Sequence, residues 1–561
     1  MSFSSHSPQS ASTSPNPLIV QSDGTMLVEA GHPDYPLLRE MLLTFAELLK
    51  SPEGFHTYRL SRLSLWNAAS TGQTPADVLG VLHRYSRYPL PLDLQQLVLA
   101  EMNKYGSLVL TSGGGCHVLQ GDRDMLDAIR QLDGLKEHLH GRKRTVLECK
   151  PASRGAVKRL LAAHGYPVLD RVGYIDGQPL PVSLQNKTRS GAAFLLRPYQ
   201  QAAVDAFLSD GPDGGSGVVV LPCGAGKTVV GIAAISAVSA HTLVLTPNVV
   251  AARQWMRELL DKTDLDPAWV GEYSADKKEI KPITVTTYQM LTYRRGEEHP
   301  HFARLNGEKW GLIVYDEVHL LPAPIFRLTA DVQSTRRLGL TATLVREDGA
   351  ESDVFSLIGP KKYEVPWKEM EQGGYIAPTT CYEVAVGLPH DLRVRYTKAL
   401  PKQKYRLAST NPRKYDVIAS LLEKHRGDRI LIIGQYLEQL DEVGERFCAP
   451  VLTGKTPMPE RERLYDQFRR GELSVLIVSK VANVAIDLPD ANVAIQISGS
   501  FGSRQEEAQR IGRLLRPKPD GGGSHFYTVV SKDTVDWEMA THRQLFLTEQ
   551  GYTYHVLDME G

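Results

Sequence analysis

Gly224-Ala225-Gly226-Lys227-Thr228 is the stretch of this chain whose residue types and spacing point most directly to chemistry. Glycines let a backbone curl until its N–H groups face phosphate oxygens, and a helix starting there adds the positive end of its dipole. Val218-Val219-Val220-Leu221 reads as a short buried strand before the loop, and Val229-Val230-Gly231-Ile232-Ala233-Ala234 opens a helix after it. In that setting Leu221, Pro222, Cys223, Gly224, Ala225 and Gly226 shape a nucleotide cradle. Lys227 reaches the β- and γ-phosphates of ATP, and the Thr228 hydroxyl ligates Mg²⁺. The strict eight-residue pattern begins with glycine. Leucine stands there, at 221, while the working half of the pattern is intact.

A second group of residues fits the same chemistry. Leu312-Ile313-Val314-Tyr315 is a buried-strand run ending in Asp316-Glu317-Val318-His319. In parallel sheets, ligands bind outside the carboxyl ends of strands. Asp316 is therefore placed to hold Mg²⁺ through water, and Glu317 to polarise the water attacking the γ-phosphate. Two acids after a strand often only solvate a loop. Their position about 90 residues behind a phosphate loop is what gives them a role. Leu338-Gly339-Leu340-Thr341-Ala342-Thr343 is a strand breaking into small hydroxylated residues, and Thr341 and Thr343 are candidates to relay the state of the phosphate site. Arg510, Arg513 and Arg516 fall along one helix face. The plain reading is a solvated basic helix. The functional one is that Gln509, Arg510 and Arg513 close over a γ-phosphate held by another domain, an effect worth about 10³–10⁵ in rate.

The elements that position these residues follow from the wider pattern. At 561 residues the chain exceeds one core, so several domains are expected. With 64 basic and 64 acidic residues, net charge gives no support to nucleic-acid binding, which must rest on local surfaces. No run approaches the ~18 apolar residues of a membrane span, and the five scattered cysteines read as reduced thiols, not as disulfides or zinc ligands. The Ser/Pro-rich residues 1–20 read as a disordered tail, neither signal nor anchor. Residues 21–115 carry apolar residues at helical spacing, as in 35–49, and Thr74-Pro75 reads as a capped helix start. That segment is expected to be a helical accessory domain, bounded by the turn at Gly113-Gly114-Gly115. Residues 116–185 read as a small α+β domain whose basic residues, Arg142-Lys143-Arg144 with Arg154, Lys158 and Arg159, are either a solvated face or a DNA contact. Strand–helix alternation of the open parallel-sheet kind then appears twice, over 186–373 and 374–561, with an irregular basic stretch from Arg393 to Lys414.

In their order along the chain, GAGKT, DEVH, LTAT and QRIGRLLR resemble the motif series of the superfamily 2 helicases. The DEVH box, the Arg346-Glu347-Asp348 triplet and residues 498–513 are similar to the XPB branch, the helicases of nucleotide excision repair and transcription initiation. The resemblance covers residues 190–520. It implies an α/β protein with two tandem RecA-like parallel-sheet motor domains behind a helical domain and a small α+β domain similar to a damage-recognition domain. It implies an ATP- and Mg²⁺-dependent DNA helicase or translocase of 3′→5′ polarity.

By position, Arg197 and Gln200 match the adenine-reading element, and Asp487 an acid near the nucleotide. Thr246, Pro247 and Thr287 match strand-end contacts to the nucleic-acid backbone, as do Thr453, Gly454 and Ser479 in the second motor domain. Hydroxyls suit such contacts because they bind phosphates without reading bases. Arg346, Glu347 and Asp348 are the candidate unwinding element, against a plain charged turn, and residues 387–411 resemble a short thumb-like insertion. The implied partners are DNA at a single-stranded/duplex junction and, for a prokaryotic member, a nuclease. No membrane is implied, and the expected location is the cytoplasm, at the nucleoid in a prokaryote. Three alternatives stand beside this reading: a duplex translocase that separates no strands, an RNA helicase, and an inactive damage-binding scaffold. The last would be marked by loss of Lys227, Glu317 or Arg513, and all three are present.

Overall fold

The computed structural model describes residues 15–50, 54–113, 116–139, 146–150, 153–172, 177–209, 215–222, 224–296, 298–320, 334–342, 351–365, 367–479, 491–499, 522–549 and 552–559. The chain divides into two compact units, Met1–Leu108 with Gly165–Leu169, and Val109–His164 with Asp170–Gly561.

In the first unit, strands β1 (Leu18–Val20), β2 (Thr25–Glu29), β3 (Glu47–Lys50) and β4 (Phe55–Arg59) form an antiparallel sheet in the order β1-β2-β4-β3. Helices α1 (Tyr35–Leu43), α2 (Arg62–Ser70), α3 (Pro75–Tyr85) and α4 (Leu92–Lys104) complete it. Met26 and Val28 alternate onto one face, where they are buried with Tyr58, Leu38, Leu65 and Leu82. This corrects two expectations. The segment read as helical is α+β, and Leu18–Val20, read as the end of a disordered tail, is its first strand. Runs of three to five residues with period two carry little signal beside long helical runs. The helix read through residue 49 stops at Leu43, where the chain turns through Phe45 and Ala46, both N–H groups bonding Leu42 O, and enters β3. Thr74 does cap α3. Its hydroxyl accepts from Asp77 N at 3.2 Å while the Asp77 carboxylate accepts from Thr74 N at 2.8 Å.

From the end of the first unit into the second, β5 (Leu108–Gly113), β6 (Cys116–Gln120) and β7 (Leu147–Cys149) pair antiparallel. Gly113 faces Cys116 in register, so the division expected between 115 and 116 cuts a hairpin. Helix α5 (Arg123–Arg130) follows, then α6 (Arg154–Ala163) and β8 (Val168–Arg171). Arg154 and Lys158, read as candidates for DNA contact, are turned inward. Both bond the Asp170 carboxylate at 2.9 Å, with side chains 9% and 12% exposed. The triplet at 142–144 lies outside the described residues.

Beyond helix α7 (Pro198–Leu208) come two parallel sheets. The first contains β9 (Ser216–Val220), β10 (Thr242–Thr246), β11 (Val270–Tyr273), β12 (Ile283–Thr287), β13 (Trp310–Asp316), β14 (Ser334–Thr341) and β15 (Lys361–Glu364), in the order β11-β12-β10-β13-β14-β9-β15. Helices α8 (Lys227–Val238), α9 (Val249–Lys262), α10 (Tyr288–Thr292), α11 (Pro300–Asn306), α12 (Glu351–Leu357) and α13 (Trp367–Gln372) connect and flank it. Helix α12 packs against α6.

The second sheet contains β16 (Thr379–Val386), β17 (Ile430–Gly434), β18 (Val451–Leu452), β19 (Val475–Ser479), β20 (Val493–Gln496), β21 (Ser524–Ser531) and β22 (Tyr554–Met559), in the order β18-β19-β17-β20-β21-β16-β22. Near-continuous Val/Ile/Leu runs make these strands, as expected where both faces of a sheet are covered. The basic stretch read as irregular is two helices, α14 (His390–Lys398) and α15 (Pro401–Ser409), packed on each other. Pro401 at the first turn of α15 presets a helical φ. Helices α16 (Lys414–Lys424), α17 (Leu437–Phe447), α18 (Met458–Arg469) and α19 (Val535–Glu549) follow.

Candidate nucleotide site and strand-end loops

Because β9, β13 and β14 run parallel, their carboxyl ends share one edge. Val220 is level with Thr341, and Asp316 with Leu340. The glycine loop leaves β9 there and ends in α8, whose first residue is Lys227. Gly224 and Gly226 take φ of +83° and +80°, a conformation costing a residue with a Cβ roughly 1–2 kcal/mol. Leu221 is fully buried, and its N–H bonds Thr341 O at 3.0 Å. It continues the strand rather than the cradle, which accounts for leucine where the strict pattern has glycine. Gln200 and Tyr199 at the start of α7 brace the loop from below. Both donate to Ala225 O, at 3.0 and 2.7 Å, and the Gln200 carbonyl accepts from Arg197 N at 3.0 Å. Arg197 itself lies over the Tyr375 ring, 5.5 Å from its centroid.

At the end of β13 the chain kinks. Glu317 has φ +49°, in the left-handed region that glycine favours, and such residues cluster at active sites. The kink turns its carboxylate between Lys227 Nζ, at 3.4 Å, and His319 Nδ1, at 3.5 Å. His319, fully buried, also bonds Thr341 Oγ1 at 2.7 Å. The glycine loop, the acids and the Thr341 hydroxyl, about 115 residues apart in sequence, are thus one connected cluster.

Asp316 is held from two sides. Trp255 Nε1 donates to its carboxylate at 2.9 Å, and the Tyr288 hydroxyl donates to its backbone carbonyl at 2.7 Å. Burial, and then the neighbouring Glu317 charge, push the Asp316 carboxyl up to about 7, against the pull of the Trp255 N–H and of Lys227. Tyr288 is pushed well above the ordinary phenol range by its own burial and by the Asp316 charge. Two adjacent carboxylates facing one lysine are a setting that a divalent cation would relieve. A threonine hydroxyl and a carboxylate, Thr228 and Asp316, are oxygen donors of the kind Mg²⁺ takes.

Two of the strand-end residues expected to touch nucleic acid, Thr246 and Thr287, lie along the same edge. Thr246 and Thr287 end neighbouring strands in register, and the Thr246 hydroxyl lies 3.0 Å from Thr286 O and 3.1 Å from Asn248 O. Pro247 leads into α9, which Asn248 caps through Ala251 N. In the second sheet, Thr453 and Gly454 lie in a turn closed by Thr453 N donating to Thr456 Oγ1 at 3.0 Å. The Arg461 guanidinium clamps that turn through the carbonyls of Thr453 and Thr456, at 3.0 and 3.2 Å. Ser479 ends β19, buried. Cys223, Thr343, Arg346, Glu347, Asp348, Asp487, Gln509, Arg510 and Arg513 lie outside the described residues.

Sequence reasoning missed Trp255 and Arg461 as supports of these loops, and placed Tyr288 only in the strand-end stretch matched to nucleic-acid contacts, not on the Asp316 backbone. Trp255 and Arg461 read as core or solvated face from spacing alone, and only the direction of an N–H or O–H reveals a partner.

Three family models match the chain. One described as the ERCC3/RAD25/XPB C-terminal helicase spans residues 370–560. The type III restriction enzyme res subunit model spans 193–346, and a helicase conserved C-terminal domain model spans 18–143. The DNA 3′-5′ helicase XPB of Mycobacterium tuberculosis is 50% identical over 547 residues, 97% of this chain and 98% of that protein. The chain belongs to the XPB family of DNA helicases. An XPB of Kineococcus radiotolerans shares 50% identity with this XPB-family chain, over 97% of each. The Saccharomyces cerevisiae transcription and DNA repair factor IIH subunit XPB/SSL2 is 31% identical over 96% of this chain and 72% of its own length. Among solved structures, the Pyrococcus furiosus Hef helicase domain aligns with 62% of the chain and 97% of itself at 15% identity and TM-score 0.43, too loose to add to what the sheets show.

Proposed function

We infer that this XPB-family chain is an ATP-dependent DNA helicase that moves 3′→5′ and separates strands at single-stranded/duplex junctions during DNA repair. The observation that carries the reading is the linked set Lys227–Glu317–His319–Thr341 at the carboxyl edge of a parallel sheet. Lys227 and the loop amides bind the phosphates, and Glu317 orients and polarises the attacking water. Thr228 and Asp316 would hold Mg²⁺, which when bound neutralises phosphate charge. Gln509, Arg510 and Arg513 complete the site from the second motor domain, and Asp487 serves as an acid near the nucleotide. Residues 186–373 and 374–561 are the two motor domains, and α14–α15 is the thumb-like element. Arg197 and Gln200 hold the adenine side, by a route in which Gln200 trades its bond to Ala225 O for the base.

Thr246, Pro247, Thr287, Thr453, Gly454 and Ser479 grip the DNA backbone, and Arg346, Glu347 and Asp348 part the strands. A freed single strand is the substrate a partner nuclease needs, and the cytoplasm is the compartment the reading calls for. The test is ATP-driven release of a labelled strand from a forked DNA duplex. The wild-type protein is expected to release it and Lys227→Ala to release none. Wild-type ATP turnover and triplex displacement without strand release would identify a duplex translocase instead.

A further inference from the structure

Trp255 is 1% exposed on α9, and the ordinary account of such a residue is core packing. Three observations go further. Its Nε1–H donates to Asp316 Oδ2 at 2.9 Å, and an indole N–H can only donate, so the contact fixes a carboxylate oxygen and adds no charge. Its ring is wedged at one place. A Cβ on Gly231 of α8 would lie 2.3 Å from Trp255 Cη2 and 3.1 Å from Leu340 Cδ1, so helix α8, which begins with Lys227, leaves room for the indole only because residue 231 has no side chain. The Asp316 main chain is held separately by Tyr288, and beside the Glu317 backbone N–H and the more distant Lys227 charge the indole is the side-chain donor that fixes the carboxylate's torsion.

We propose that Trp255 is the positioning residue for the metal-binding carboxylate, its indole N–H fixing the orientation of Asp316 and thereby the affinity of the site for a nucleotide-bound divalent cation. The proposal rests on the reading of Asp316 as a Mg²⁺ ligand given above. Hydrogen-bond partners of metal ligands are worth about 10–100-fold in metal affinity or activity, and a fixed indole is such a partner. Helix α9 begins directly after the Thr246-Pro247 loop, so a shift of that loop on a nucleic-acid backbone would be carried by α9 to Trp255, two turns along, and from there to the carboxylate.

The experiment is equilibrium binding of a fluorescent ADP analogue to the full chain, first in EDTA and then across a Mg²⁺ titration. Trp255→Phe keeps the ring and removes the donor. It is expected to hold metal-free affinity within about twofold and to need about tenfold more Mg²⁺ for half of the metal-dependent tightening. Gly231→Ala, which displaces the ring and keeps the donor, is expected to shift the Mg²⁺ requirement in the same direction and stands in should Trp255→Phe not fold. An unchanged Mg²⁺ requirement overturns the proposal. So does a parallel fall of metal-free affinity, metal-dependent affinity and melting temperature, which is what packing alone would give. A wild-type protein whose nucleotide binding ignores Mg²⁺ overturns the metal reading of Asp316 and, with it, the proposal.

Discussion

Glu317 shows how one backbone torsion places a carboxylate between two partners. A left-handed φ on a residue with a side chain costs of order 1–3 kcal/mol and persists where the surroundings over-determine it. Here the surroundings are Lys227 on one side and His319 with Thr341 on the other. Glu317→Gln is therefore expected to keep nucleotide binding, since Lys227 and the loop are untouched, and to lower turnover about 10²–10⁴-fold. Single-turnover hydrolysis read beside nucleotide-analogue binding checks this. Loss of both together would make the acid structural. At this scale the sequence is most legible where residue type and order are both constrained. Lys227 and Asp316 stand out because each follows a buried strand at an expected distance from the other. His319 and Trp255 do not, because a histidine after two acids and a tryptophan at helical spacing are ordinary residues until their hydrogen bonds are seen.

At the scale of elements, α6 shows a basic face serving stability. Asp170 on β8 meets two cations, Arg154 and Lys158. Burial opposes the Asp170 charge, but Lys158 and Arg154 outweigh it and hold the carboxyl well below the usual range. One carboxylate shared by two cations leaves the lysine short, and burial pushes the Lys158 ammonium down to about 8. Asp170→Asn takes the shared carboxylate away from two buried cations and is expected to destabilise the protein by about 3–5 kcal/mol, read from denaturant unfolding. The depressed carboxyl contributes its stability above the unfolded-state value and loses it as the pH falls through about 4 toward the folded value. The difference between wild type and Asp170→Asn should therefore be full at neutral pH and shrink on acidification below about 4; a difference that persists at the same size in acid would contradict the ion-pair account. Composition cannot show which way a basic side chain turns, so the same residues read as a solvated or DNA-binding face. For a related reason the N-terminal sheet was hidden. Its strands are short, and Tyr35–Leu43 carries a helical pattern strong enough to be extended over β3.

Across the whole molecule, two parallel sheets built on the same plan line up their carboxyl-end loops from residues far apart in sequence. The first carries Lys227, Asp316, Glu317 and Thr341 together with Thr246 and Thr287; the second carries Thr453, Gly454 and Ser479. That doubling was legible as alternation of buried strands and helices, since Val/Ile/Leu runs of this length leave little else for a chain to do. The links along the first edge were not, because they depend on register. Tyr288 reaches from a strand-end stretch read as a nucleic-acid contact to the backbone of the carboxylate read as a metal ligand, and Thr246 bonds Thr286 O on the neighbouring strand. An enzyme wired this way should hydrolyse ATP slowly alone and faster when its strand-end loops are engaged.

The central claim is that the site is a DNA-driven ATPase. The most direct measurement is steady-state ATP hydrolysis at one salt concentration with no nucleic acid, single-stranded DNA, duplex DNA and RNA, with Lys227→Ala as control. Strong stimulation by DNA over RNA and no turnover in the variant are expected. Equal or greater stimulation by RNA, or turnover surviving without Lys227, would contradict it.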